Sequence, residues 1–168
     1  MPVSQLKSDL QGSREHLFAS IRGLSEEQFR FVPAGGDVWS IAAHLGHLLR
    51  IERAFAERAR TALTEHDPFI ASTRALNDDD PVASRKLAVP QMIHGLLNAR
   101  RDLEAVLDAC DAARLDRAIV HERLGRMTIR EIAVKMASHE VEHTAEIARL
   151  ARQVPASGRV IIPLTRRS

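Results

Sequence analysis

The sequence holds a single cysteine, no tyrosine and one tryptophan in 168 residues. The lone Cys110 excludes an intrachain disulfide and any cysteine-based zinc cluster. With only five phenylalanines besides Trp39, the chain has little to stack on nucleic-acid bases. No apolar run approaches the roughly 18 residues of a membrane span, and the opening MPVSQLKSDL lacks a signal peptide's apolar stretch. Charge of one sign is also missing, because 24 Lys+Arg stand against 22 Asp+Glu for a formal +2. Acids interrupt the bases almost everywhere, as in Arg50-Ile51-Glu52-Arg53; the acid-free stretch from Arg159 to Arg167 is the local exception. That mixture argues against a nucleic-acid partner. What is present, 45% hydrophobic and 27% charged residues, describes an ordinary folded domain. A soluble, cytoplasmic single domain is the expectation.

Apolar residues recur at helical spacing in four long segments, and no segment alternates with period two long enough to predict a sheet. The first runs from about Ser4 to Leu24 on Leu6, Leu10, Leu17 and Ile21. Ser25-Glu26-Glu27-Gln28 then fits a capping box and starts a short helix or turn that stops before Pro33. Pro33-Ala34-Gly35-Gly36-Asp37 reads as a loop. The second long helix is expected from Ser40 as cap to about Leu63, with Ile41, Leu45, Leu48, Phe55 and Ala59 as its stripe. A polar connector, His66 to Pro81, carries Asp78-Asp79-Asp80, which reads as solvated charge. The third helix is placed at about Val89 to Cys110 on Ile93, Leu96, Leu97, Leu103, Val106 and Leu107, with Pro81 or Pro90 in its first turn. Thr128-Ile129-Arg130-Glu131 is a second capping box, opening a last helix to about Arg152 that Pro155 and Gly158 end. Four such helices bury their stripes only against one another, which makes the fold class all-α: an up-down four-helix bundle with a short extra helix or turn after the first helix. Residues 1–155 form that domain and 156–168 a tail, whose apolar Val160-Ile161-Ile162-Pro163-Leu164 has no assigned partner.

The last helix carries two histidines, His139 and His143, in line with Ile129, Ile132, Met136, Ile147 and Leu150. Residues four apart have Cβ atoms roughly 5–6 Å from one another, so both rings can converge on one ion. Eight histidines give about 0.4 such pairs by chance, so the pair alone is weak. Its placement in the stripe says more, because a buried imidazole needs a hydrogen-bond partner or a metal. The second helix adds His44 and His47 three apart, either of which can supply a third imidazole from across the bundle, with Gly46 leaving room beside them. Three histidines with an open position are the pattern of a reactive metal site. Three imidazoles suit zinc, nickel, iron or copper.

Trp39-Ser40-Ile41-Ala42-Ala43-His44-Leu45-Gly46-His47-Leu48, followed by His139-Glu140-Val141-Glu142-His143, resembles the DinB-like (DinB/YfiT) superfamily. The resemblance covers about residues 5–152. It implies a bundle with a three-histidine divalent-metal site, whose ligands fall on His47, His139 and His143, with zinc or nickel ranked ahead of iron or copper. It leaves His44 beside a ligand or at the surface. It also implies a homodimer and a small-molecule substrate. The expected function is a metal-dependent enzyme, with S-transfer or isomerisation using a low-molecular-weight thiol ranked before hydrolysis by a metal-bound water, or before a non-catalytic metal- or ligand-binding bundle.

His139 to His143 also spells H-E-x-x-H, in which Glu140 would be the general base of a zinc protease. The context fails: Arg149 stands where the extended motif needs a third histidine, no Asp, Glu or His follows Glu146, and no strand pattern precedes the helix. Glu140 is expected to face solvent, or else to orient an imidazole. Arg50, Arg53 and Arg130 are candidates for holding an acidic substrate, though solvated helix faces with acidic partners explain each of them. Trp39 reads as a hydrophobic staple and Cys110 as a small packed side chain.

Overall fold

Ser25, Ser40 and Thr128 each sit just before a helical run, where a side-chain oxygen can accept one of the backbone N–H groups that the first turn leaves without a partner. In the computed structural model, which describes residues 1–34, 39–71 and 87–153, all three do so, accepting from Gln28, Ala43 and Glu131 respectively. The helices that result are α1 (Val3–Ile21), the short α2 (Glu26–Arg30), α3 (Ile41–Thr64), α4 (Val89–Asp108) and α5 (Ile129–Ala151). Pro90 lies in the first turn of α4, where its missing N–H costs nothing. The Gly35–Asp37 part of the first loop, the Asp78-Asp79-Asp80 run, Pro81, Pro155, Gly158, the arginines from Arg159 to Arg167 and the apolar tail lie outside the described residues.

The four long helices form the expected bundle. α1 lies along α5, α3 lies along α4, and α3 and α5 join the two pairs. Two contacts set the direction of α1: Lys7 pairs with Asp108 at 2.6 Å, and Arg130 donates to the Met1 carbonyl. The start of α1 therefore meets the end of α4 and the start of α5. On α4, Gly95 lets Leu49 of α3 approach so closely that a Cβ there would stand 2.9 Å from its methyl. Arg100 follows with Glu52, so α3 and α4 run the same way. The order of directions is up, down, down, up, a refinement of simple alternation. It requires the long connection between α3 and α4, whose extended reach exceeds the length of either helix.

A small sheet corrects the purely helical expectation. β1 (Phe69–Ile70) pairs in parallel with β2 (Ala118–His121), which pairs antiparallel with β3 (Gly125–Thr128). Strands of two and four residues are too short to show alternation in sequence. Gly125, at φ +71°, takes the left-handed conformation that closes the hairpin. A strand thus does precede α5, but it ends 11 positions before His139, roughly 16 Å along the helix axis.

Leu6, Leu10, Leu17, Ile41, Leu45, Leu48, Leu96, Leu103, Ile132 and Met136 form the core, each at most 1% exposed. Leu97 does not join it and is 38% exposed. At mid-bundle the apolar seam is interrupted on every long helix by a charge: Arg14 after Leu10, Glu52 after Leu48, Arg100 after Leu96, and Glu140 after Met136. These four close a ring. Arg14 bonds Glu140 at 2.6 Å and also Glu52, while Arg100 bonds Glu140 at 2.9 Å and also Glu52. Ser13 donates to Glu140, and Arg100 donates to the Leu10 carbonyl. Both glutamates are fully buried, so each depends on the two guanidiniums for compensation.

Removing one member of this ring leaves an uncompensated buried charge. Arg100→Met should cost about 3–5 kcal/mol in urea unfolding. Replacing Arg14, Glu52, Arg100 and Glu140 together by apolar residues of similar volume should recover stability to within about 1 kcal/mol of the parent chain. A loss below about 1 kcal/mol for Arg100→Met would show that the ring is not closed in solution.

Candidate metal centre

One turn of bundle from the charged ring, α3 and α5 bring imidazoles together because the two helices run antiparallel there. His47 and His139 face each other with Nε2 atoms 3.0 Å apart, and His44 and His143 meet Nδ1 to Nδ1 at 2.7 Å. The ring of His143 also lies 4.7 Å from that of His47 and 4.5 Å from that of His139, centroid to centroid. His47, His139 and His143 each offer a nitrogen within 4.8 Å of the others, and no other such cluster occurs among the described residues. The sequence-predicted ligands are thus brought to one place.

These residues fit a divalent metal by their chemistry. Imidazole binds metal in its neutral form. Burial, followed by the neighbouring His143, His139 and Arg50, pushes His47 down to about 3. Burial and then His143 push His44 down to about 4. By contrast, His121, also buried, is engaged by hydrogen bonds alone. Its Nδ1 accepts from the backbone N–H groups of Arg123 and Leu124 at 3.1 and 3.3 Å, and its Nε2 lies 3.0 Å from Arg58. It latches the β2–β3 turn.

Several placements differ from expectation. Glu140 faces neither solvent nor an imidazole. It occupies the seam, four residues after Met136 and seven before Ile147, and both its oxygens are taken by Arg14, Arg100 and Ser13. It is therefore not positioned as the base of an H-E-x-x-H protease. His139 and His143 flank that seam and are half-buried. Of the two places expected for His44, the structure shows the one beside a candidate ligand and not the surface: it is buried against His143. Of the three candidate arginines only Arg50 stands beside the imidazoles, with Nη2 3.4 Å from His47 Nδ1. Arg53 lies against Gly95 of α4, and Arg130 pairs with Asp116 at 3.0 Å near the start of α5. Cys110 donates to the Val106 carbonyl at 3.2 Å, and burial raises its pKa, as befits a packed thiol. The ring residues Arg14, Glu52 and Arg100 were not legible as a set. Their signal is a charge standing three or four places from apolar residues within each stripe.

Trp39 precedes the Ser40 cap, and His44 is the fourth residue of the helix that follows. Their rings pack at 5.0 Å, the geometry of a hydrophobic staple with an imidazole in the apolar place. The indole also reaches His47 at 5.4 Å and His143 at 6.1 Å, so it walls the site as well as anchoring the chain.

Fold and site define a four-helix bundle with an interior cluster of imidazoles shared between two of its helices. The chain belongs to the DinB superfamily, whose family model matches residues 9–147. Among solved structures it is similar to YfiT from Bacillus subtilis, described as a probable metal-dependent hydrolase with an unusual four-helix bundle topology. That match has a TM-score of 0.77 and 18% identity, covering 90% of this chain and 86% of that one. No curated protein matches the chain. No described helix is long and apolar enough to cross a membrane.

The buried imidazoles make stability depend on pH. In the unfolded chain His44 and His47 titrate near 6.5, whereas in the fold they stay neutral down to about 4 and 3. Between those values the unfolded chain holds protons that the fold lacks. Metal-free protein should therefore be most stable above about pH 6.5 and weaken as pH falls, by up to about 1.4 kcal/mol per pH unit for each histidine. Urea unfolding from neutral pH to about pH 5 measures the slope. The same slope in a His44→Phe/His47→Phe double variant would assign the effect to other groups.

Proposed function

We propose that the chain is a divalent-metal-dependent enzyme in which His47, His139 and His143 hold the ion. The observation that carries this reading is the convergence of three imidazole nitrogens, from two helices, within 4.8 Å. Three protein ligands leave a position for a substrate group. A divalent ion held there supplies Lewis acidity, which favours the ionised form of a thiol or of water. Zinc and nickel are the first candidates, then iron and copper.

The chain's own residues do the rest. α3 and α5 hold the imidazoles within the bundle. Trp39 walls one side of the cluster. Arg50 sets a positive charge beside His47, suited to an acidic small molecule or to a low-molecular-weight thiol that carries a carboxylate. Thiol-dependent S-transfer or isomerisation is the reaction class we put first, on the strength of the motif resemblance. The second reading is hydrolysis, favoured by the description of YfiT. A homodimer in the cytoplasm completes the proposal.

Elemental analysis of untagged protein beside its His47→Ala and His139→Ala variants tests the metal. About one divalent ion per chain, lost in both variants, is the expected result. An unchanged metal content in His47→Ala would overturn the ligand assignment. Loaded protein should then consume a thiol when given an electrophilic substrate; turnover of esters or amides without any thiol would move hydrolysis to first place.

A further inference from the structure

The imidazole beside the three candidate ligands has a geometry of its own. Among the described residues His44 belongs to no cluster of three or more groups that could share an ion, yet its Nδ1 is 2.7 Å from Nδ1 of His143. At 7% exposure its ring is withdrawn from solvent, and Trp39 packs on it at 5.0 Å. The cap at Ser40 fixes the first turn of α3, and the staple geometry then places the residue four positions on against the indole. A hydrophobic side chain would satisfy that place. An imidazole there brings two nitrogens that need partners.

We propose that His44 is a positioning residue for the metal centre, accepting the Nδ1 proton of His143 and so committing His143 to ligate through Nε2. The proposal rests on reading His143 as a ligand. A neutral imidazole carries one N–H and one lone pair. Two such rings meeting Nδ1 to Nδ1 share one proton between the facing nitrogens, so one ring is the donor and the other the acceptor. When His143 donates, its lone pair is on Nε2, where it can meet a metal. When His143 accepts, Nε2 carries the proton and is blocked. Binding of an ion through Nε2 therefore selects the arrangement in which His44 accepts through Nδ1 and is protonated on Nε2. Metal-bound histidines generally donate their other N–H to an acceptor that sets the tautomer and ring orientation, most often a carboxylate or carbonyl. In this chain a second imidazole takes that role, and the start of α3 holds it in place.

The test is zinc affinity, measured by competition with a chromophoric chelator, for the parent chain, His44→Gln and His44→Phe. Glutamine keeps an acceptor oxygen; phenylalanine fills the space and packs on Trp39 without one. The parent should bind about one zinc per chain, and His44→Phe the same number with about 10–100-fold weaker affinity. His44→Gln should recover most of the loss, which a purely packing role would not produce. Equal affinity in His44→Phe and the parent would overturn the proposal. Complete loss of zinc from both variants, with helical circular dichroism intact, would overturn it too by making His44 a ligand. A parent chain that takes up none of zinc, nickel, iron or copper would instead refute the three-histidine reading itself, and the comparison is made with nickel where the parent binds nickel and not zinc. Should His44→Phe fail to fold, the imidazole nitrogen chemical shifts of the zinc-loaded parent decide the matter. His143 protonated at Nδ1 and ligated at Nε2 supports the proposal, and the reverse assignment overturns it.

Discussion

Arg14, Glu52, Arg100 and Glu140 tie the four long helices together at mid-bundle, two positive charges against two negative ones with almost no access to water. Burying a carboxylate costs several kcal/mol unless it is paired and hydrogen-bonded, so all four residues must arrive in one place or none is tolerated. Apolar side chains can slide past one another at small cost; this ring cannot. Shifting α5 by one residue rotates Glu140 by about 100° away from Arg14 and Arg100. The ring therefore constrains both the rotation and the height of each helix.

The imidazole cluster inherits those constraints. His139 adjoins Glu140 on α5, and His47 lies five residues before Glu52 on α3, roughly 7.5 Å along the axis. His47 faces His139, and because the helices are antiparallel, a step of one turn toward the start of α3 from His47 meets a step of one turn toward the end of α5 from His139, so that His44 faces His143. At the mouth, the Ser40 cap and the Trp39–His44 contact fix the first turn of α3. A literal H-E-x-x-H string accordingly divides its labour in an unusual way. Its histidines face the imidazole cluster, while its glutamate holds the bundle together.

Much of this was legible in residues taken in order. The capping boxes at Ser25 and Thr128 and the Ser40 cap placed three helix starts, because a cap is a local arrangement of a side chain and the backbone three residues on. The Trp39–Leu48 motif and the His139–His143 pair pointed to one family and one site. The short strands are not legible in sequence because their hydrogen bonds join residues far apart in the chain, such as Phe69 and Val120, and two or four residues show no period. The burial of Glu140 is not legible in sequence because a carboxylate is ordinarily exposed, and its partners Arg14 and Arg100 lie 126 and 40 residues away.

The sequence by itself determined the helices and their starts, which are written in spacing along one segment, and its motif resemblance pointed to the family and to His47, His139 and His143 as candidate ligands. Only the tertiary structure decided which charges are buried, that α3 and α4 run side by side, and that His44 meets His143. Those depend on which helix faces come together. Pairing between distant segments is set by the summed packing of all four stripes and by the neutrality of the ring at their centre, and no single stretch of chain carries that information.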